Sequence, residues 1–85
     1  MANKLTKEEI DFRDLIAQRL REVREKAGLD QTQFSYELGV DSQAVSRYET
    51  GGGASMYVVR NYCIHLGISL KEFFDSPLFK LDKKK

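Results

Sequence analysis

The chain has 85 residues, 41% of them hydrophobic and 32% charged, with 14 lysines and arginines against 13 acids for a net charge of +1. That length supports one hydrophobic core and excludes two, and the composition excludes a largely disordered chain. So small a net charge does not by itself announce a nucleic-acid partner.

Charge distribution is more informative than the total. Between positions 16 and 74, seven basic residues stand against seven acidic ones, and the excess lies in the last ten residues, with four lysines and one aspartate. Cys63 is the only cysteine and His65 the only histidine, so an internal disulfide is excluded and no Cys/His metal cluster can be assembled. No metal and no cofactor are expected. No segment reaches the roughly 18 consecutive apolar residues of a membrane span, and the N-terminus lacks a secretory pattern. The expectation is a reduced, cytoplasmic protein that does not engage membranes.

In chain order, Thr6 with Glu9 forms a capping box. Phe12, Ile16, Leu20, Val23 and Ala27 then recur at three- and four-residue steps until Gly28, which predicts one long amphipathic helix. Asp30 is a suitable N-cap for a second helix carrying Phe34 and Leu38 on one face, and Gly39 suits its left-handed end. Asp41 can cap a third helix, with Val45 and Tyr48 inward, that runs to about Glu49. The glycines at 51, 52 and 53 predict a loop, each costing about 1 kcal/mol in a helix. Ser55 caps a fourth helix with Val59, Tyr62, Cys63 and Leu66 on one face, closed by Gly67. Ser69 with Glu72 opens a short fifth helix through Phe73 and Phe74. Pro77 blocks its simple continuation, and Leu78, Phe79 and Leu81 show neither cap nor period. No strand pattern of useful length occurs, so the fold class is all-α.

Residues 31–50 carry the functional signal, because two short helices joined by a glycine-containing turn are the form in which many proteins address DNA. Phe34, Leu38, Val40, Val45 and Tyr48 point to one core, and Ser35 is small where the third helix crosses the second. Ser42, Gln43, Ser46 and Arg47 remain outward and able to hydrogen-bond. A glutamine can pair bidentately with adenine and an arginine with guanine, each good pair discriminating by about 1–3 kcal/mol. Gln43 and Arg47 lie four residues apart, about 6 Å along a helix axis, and are the leading candidates for reading bases. Gln31 begins the second helix, where free amides suit a phosphate.

Gly28-Leu29-Asp30-Gln31, Phe34-Ser35, Gly39-Val40, Val45-Ser46-Arg47-Tyr48-Glu49 and Leu66-Gly67-Ile68-Ser69-Leu70 together resemble the Cro and phage-repressor family of XRE-type regulators. The resemblance covers 16–74, with 1–15 as an N-terminal extension of the first helix and 75–85 as a tail. It implies a compact five-helix, lambda-repressor-like domain that dimerises on double-stranded DNA with the third helix in the major groove. Ser42, Gln43 and Arg47 then face bases, and Gln31 and Thr50 face phosphates. It also implies a structural pair between Arg24 and Glu49. One departure is the loop after the third helix, where Gly52, Gly53 and Ala54 replace the basic residues many relatives use against phosphate.

The remaining candidates are weaker. Cys63 reads as a core thiol, His65 as a surface residue, and Glu8, Glu9, Asp11 and Asp14 as acids favoured by the helix dipole. Lys83, Lys84 and Lys85 suit either a phosphate-touching arm or a solvated run. Leu5, Ile10, Leu78, Phe79 and Leu81 need a partner, either one another or a second copy in a homodimer. The expected function is a transcriptional regulator, most often a repressor in such families, on a palindromic operator. The alternative is an antitoxin or accessory module that engages a protein through the C-terminal apolar tail. No triad, metal cluster or phosphate-cradling glycine motif points to an enzyme.

Overall fold

The computed structural model describes residues 6–51 and 54–80; Leu5, Gly52, Gly53, Leu81 and the terminal lysines lie outside them. Among the described residues there are five α-helices and one 3-10 turn, with no strand. No helix there is long and apolar enough to cross a membrane.

Helix α1 spans Lys7–Lys26. Its capping box is closed on both sides: the Thr6 hydroxyl accepts from the Glu9 amide at 3.1 Å, and Glu9 Oε1 accepts from the Thr6 amide at 2.9 Å. Helix α2 is Gln31–Leu38, started by Asp30, whose carboxylate accepts from the Gln33 amide at 2.7 Å. It is stopped by Gly39 at φ +79°, a backbone state that side chains rarely adopt. Helices α4 (Met56–Leu66) and α5 (Leu70–Phe74) begin at Ser55 and Ser69, whose hydroxyls take the amides of Val58 and Glu72.

The third helix starts later than its sequence suggests. It is Ala44–Tyr48, and Ser42 and Gln43 form the turn before it. The cause lies in Asp41, whose carboxylate accepts the Gln43 amide at 2.9 Å while its carbonyl accepts the Ala44 amide at 3.0 Å. A short acidic side chain that bonds its own backbone two residues on favours a turn over a helical start. Gln43 and Arg47 nevertheless remain one helical step apart, since the Arg47 amide donates to the Gln43 carbonyl at 3.2 Å.

Leu20, Phe34, Val45, Val59, Tyr62 and Phe73 form the fully buried centre, joined by Ile16, Val23 and Cys63. These residues come from all five helices, so each contributes to one shared interior. Phe34 meets the Tyr62 ring edge-on at 4.8 Å. Cys63 is a free thiol buried in this interior, and burial pushes it up from its usual value. Leu38 and Tyr48 pack against this core from partly buried positions, whereas Val40, expected there from the sequence, is half-buried in the turn and not part of that packing.

The segment after α5 resolves an open question of the sequence. Ser76 caps a 3-10 turn at Pro77–Phe79, and the Phe79 ring lies 5.1 Å from Phe74, 6.3 Å from Phe73 and 6.2 Å from Phe12 of α1. Arg19 ties the same end to α1, its Nε donating to the Phe73 carbonyl at 2.6 Å and its Nη2 to the Glu72 carbonyl at 3.0 Å. The guanidinium thus satisfies the Phe73 carbonyl at the end of a five-residue helix and shares the Glu72 carbonyl with the Asp75 amide.

Candidate nucleic-acid interface

Helix α3 is too short to hold its own shape, because a single helical turn fixes several dihedrals for few hydrogen bonds. Its geometry is imposed by contacts at both ends. At its start, the Ser35 hydroxyl on α2, completely buried, accepts from the Val45 amide at 3.3 Å. Ser35 is therefore small and also polar for a reason: it satisfies a buried donor where α2 and α3 meet. The sequence shows the need for a small residue there but not the hydrogen bond, which spans ten positions.

At the other end stands Glu49, with only 1% of its side chain exposed and Arg24 beside it at 6%. Arg24 Nε lies 2.9 Å from Oε2, Arg24 Nη2 lies 2.9 Å from Oε1, and the Tyr62 hydroxyl donates to Oε2 at 2.7 Å. Gln31 Nε2 adds a fourth donor at 3.2 Å. Arg24 is itself braced by the Leu29 carbonyl, 2.6 Å from Nη1. A buried charge pair is tolerable only when its remaining hydrogen-bonding capacity is met, as it is here. The hydrogen bond to Glu49 raises the Arg24 guanidinium above its already high value. Burial, followed by the bond to Glu49, pushes the Tyr62 phenol far above its usual range. Tyr62, placed in the core by its period on α4, and Gln31, expected at a phosphate, are the members of this network that the sequence does not reveal. A tyrosine among aliphatic positions was the available signal, since its hydroxyl must find a partner.

Between these two clamps the outward side of α3 and its preceding turn carries Ser42, Gln43 and Arg47, all exposed, with Ser46 half-buried among them. Ala44 and Val45 form the opposite, buried side. Arg47 faces a carboxylate: Nη2 lies 3.1 Å from Asp41 Oδ2 and Nη1 3.4 Å from Oδ1. The pair is open to solvent, with 60% and 64% of the two side chains exposed. Asp41 is lowered from its ordinary carboxylate value, chiefly by the hydrogen bond from Arg47 and then by the Gln43 amide. Six positions separate Asp41 from Arg47, a spacing with no helical meaning, which is why this contact escapes a reading of the sequence.

The two residues expected at phosphates have internal contacts. Gln31 is half-buried, with its amide turned toward Glu49. The Thr50 hydroxyl, although exposed, donates to the Ser46 carbonyl at 3.0 Å and reaches the Arg47 carbonyl at 3.3 Å, closing the end of α3. His65 is exposed on α4, with Nδ1 3.0 Å from the Asn61 carbonyl, and stands apart from this face.

Two short helices joined through a left-handed glycine, with α3 clamped and its polar side outward, form a helix-turn-helix. A family model described as a helix-turn-helix domain matches residues 15–73. The chain belongs to the XRE-like helix-turn-helix family. It is also 43% identical over 63 residues to a protein of Pyrococcus furiosus provisionally named an HTH-type transcriptional regulatory protein. That match covers 74% of this helix-turn-helix chain but 18% of the relative's length. No solved structure matches the chain significantly.

Proposed function

We propose that this helix-turn-helix domain binds double-stranded DNA in a sequence-specific manner and regulates transcription in the cytoplasm, with residues 16–74 as the binding unit. The observation that carries the reading is the clamped α3. Its inner side is sealed by Ser35 and by Glu49, while Ser42, Gln43, Ser46 and Arg47 form a polar outer side held rigidly at the surface. A helix entering the major groove needs such a strip. Gln43 and Arg47 then read adjacent base steps. The start of α2 at Gln31 and the end of α3 at Thr50 rest near phosphates, where backbone amides position the protein without specifying sequence. The regulator named among the relatives supports a role in transcription.

A homodimer on a palindromic operator, acting as a repressor, completes the proposal, because a reader this small gains specificity by doubling its half-site. The competing protein-interaction module draws less support. Phe79, which would have supplied its apolar tail, is packed against Phe12, Phe73 and Phe74.

Selection from a pool of random duplexes tests this directly. A two-fold symmetric site should be enriched, with half-sites about one helical turn apart. Gln43→Ala and Arg47→Ala should each lower affinity about tenfold for that site while changing little on random DNA. Absence of any enriched site would overturn the proposal and return the interaction module to first place.

A further inference from the structure

Arg47 is the one cation on the outer side of α3, and it is met by an anion that this surface does not need for its fold. Asp41 is exposed, and its local work, accepting the Gln43 amide, could be done by an uncharged asparagine or serine. A carboxylate on a surface offered to DNA repels phosphates. Its presence calls for a second reason.

We propose that Asp41 is a specificity-determining residue that positions Arg47 for guanine and withholds it from phosphate; the inference rests on the base-reading role assigned to α3 above. The contact is end-on: Nη1 faces Oδ1 and Nη2 faces Oδ2. A guanidinium has five N–H groups in a rigid plane, so an end-on partner leaves the edge formed by Nε and the second Nη2 hydrogen. Among the described residues Arg47 Nε has no hydrogen-bond partner. That edge matches the N7 and O6 acceptors of guanine.

The carboxylate is itself fixed, because the Gln43 amide holds Oδ1 at 2.9 Å and the Asp41 carbonyl is bonded to Ala44. Arg47 is therefore referenced to the backbone of the turn rather than left to sweep on its flexible stem. In the free protein such an exposed pair is weakly held. Docking into a groove removes water from it, and the same contact strengthens as the local dielectric falls. Neutralisation matters as well as aim. An arginine already paired with a carboxylate releases little counterion on meeting a phosphate, whereas a neutral base edge remains a good partner.

The test compares the wild type with Asp41→Asn, Arg47→Ala and the double variant. Affinities are measured on the selected site, on versions of it changed at one base pair at a time, and on random duplex over a range of salt. Asparagine preserves the turn, since its side-chain oxygen still accepts from Gln43, so circular dichroism should be unchanged. Asp41→Asn should lose roughly tenfold of the preference for guanine at the base pair where Arg47→Ala also loses it. It should bind random DNA more tightly, with the log-log salt slope steeper by about 0.9, the value for one added phosphate contact. In the Arg47→Ala background it should no longer change base preference. If Arg47→Ala abolishes preference at one base pair while Asp41→Asn leaves both that preference and the salt slope as in wild type, the role of Asp41 is refuted. If Arg47→Ala alters no base pair, the assignment of Arg47 as a reader falls, and the role of Asp41 with it.

Discussion

Arg24 meets Glu49 side-on across 25 positions of chain, its Nε and Nη2 each 2.9 Å from a different carboxylate oxygen, with both side chains sealed from solvent. The contact fastens the end of α3 to α1, and Tyr62 and Gln31 bring α4 and α2 to the same carboxylate.

Removing either partner leaves a buried charge without its counterion. Glu49→Leu or Arg24→Met alone should cost about 3–5 kcal/mol in urea or guanidinium unfolding. In a domain of this size that lowers the melting temperature by roughly 15 °C or more. The double variant should be more stable than Glu49→Leu alone, because no lone charge remains. Additive losses in the double variant would show that the pair is not the coupled unit described.

Ser35 makes a different prediction, because its volume and its hydroxyl act separately. Ser35→Ala keeps the close crossing of α2 and α3 but leaves the Val45 amide without an acceptor, at a cost of about 1–3 kcal/mol. Ser35→Leu should be far worse, since the site is completely buried and the two helices would be forced apart. Amide hydrogen exchange at Val45 should accelerate in the alanine variant beyond the change in global stability. Equal stability of the serine and alanine forms would remove the capping role.

Tyr62 makes the stability of the fold fall in alkali. Its phenol is held protonated in the native state, while in the unfolded chain it ionises near 10.0. The folded state therefore retains a proton that the unfolded state loses. The stabilisation is complete below pH 10 and declines as pH rises beyond it, by up to about 1.4 kcal/mol per pH unit for one group. Spectrophotometric titration of the wild type against Tyr62→Phe should show the Tyr62 phenol ionising near 10.0 in the denatured protein and well above that in the native one. Tyr62→Phe should erase that difference and flatten the pH dependence, while losing about 1.5–3 kcal/mol from the bond to Glu49 at neutral pH.

The helices were legible because their signals are local. Thr6 with Glu9, Asp30 with Gln33, and Gly39 and Gly67 are caps decided within a few residues, and the period of Ile16, Leu20 and Val23 needs only one element. The sequence places the start of α3 too early for a related reason: Asp41 can serve a helix or a turn, and here its carboxylate takes the Gln43 amide and its carbonyl the Ala44 amide, which makes a turn. The pairing of Arg24 with Glu49 came from the family resemblance, whereas Tyr62, the Ser35 hydroxyl and the hold of Asp41 on Arg47 did not. Those contacts join positions 13, ten and six apart, at separations no helical repeat encodes. Phe79 had no period at all, and its place is set by rings from α1 and α5 that only tertiary structure brings together.

The clamps on α3 also bear on how any ligand is met. A five-residue helix standing alone would have to be ordered at the moment of encounter, and that entropy would be subtracted from affinity. Here the ordering is completed when the chain folds, since Ser35 fastens one end and Glu49 the other. Association can then proceed close to rigid docking, with little backbone rearrangement between the isolated and engaged forms and with discrimination expressed mainly in how slowly a correct partner leaves.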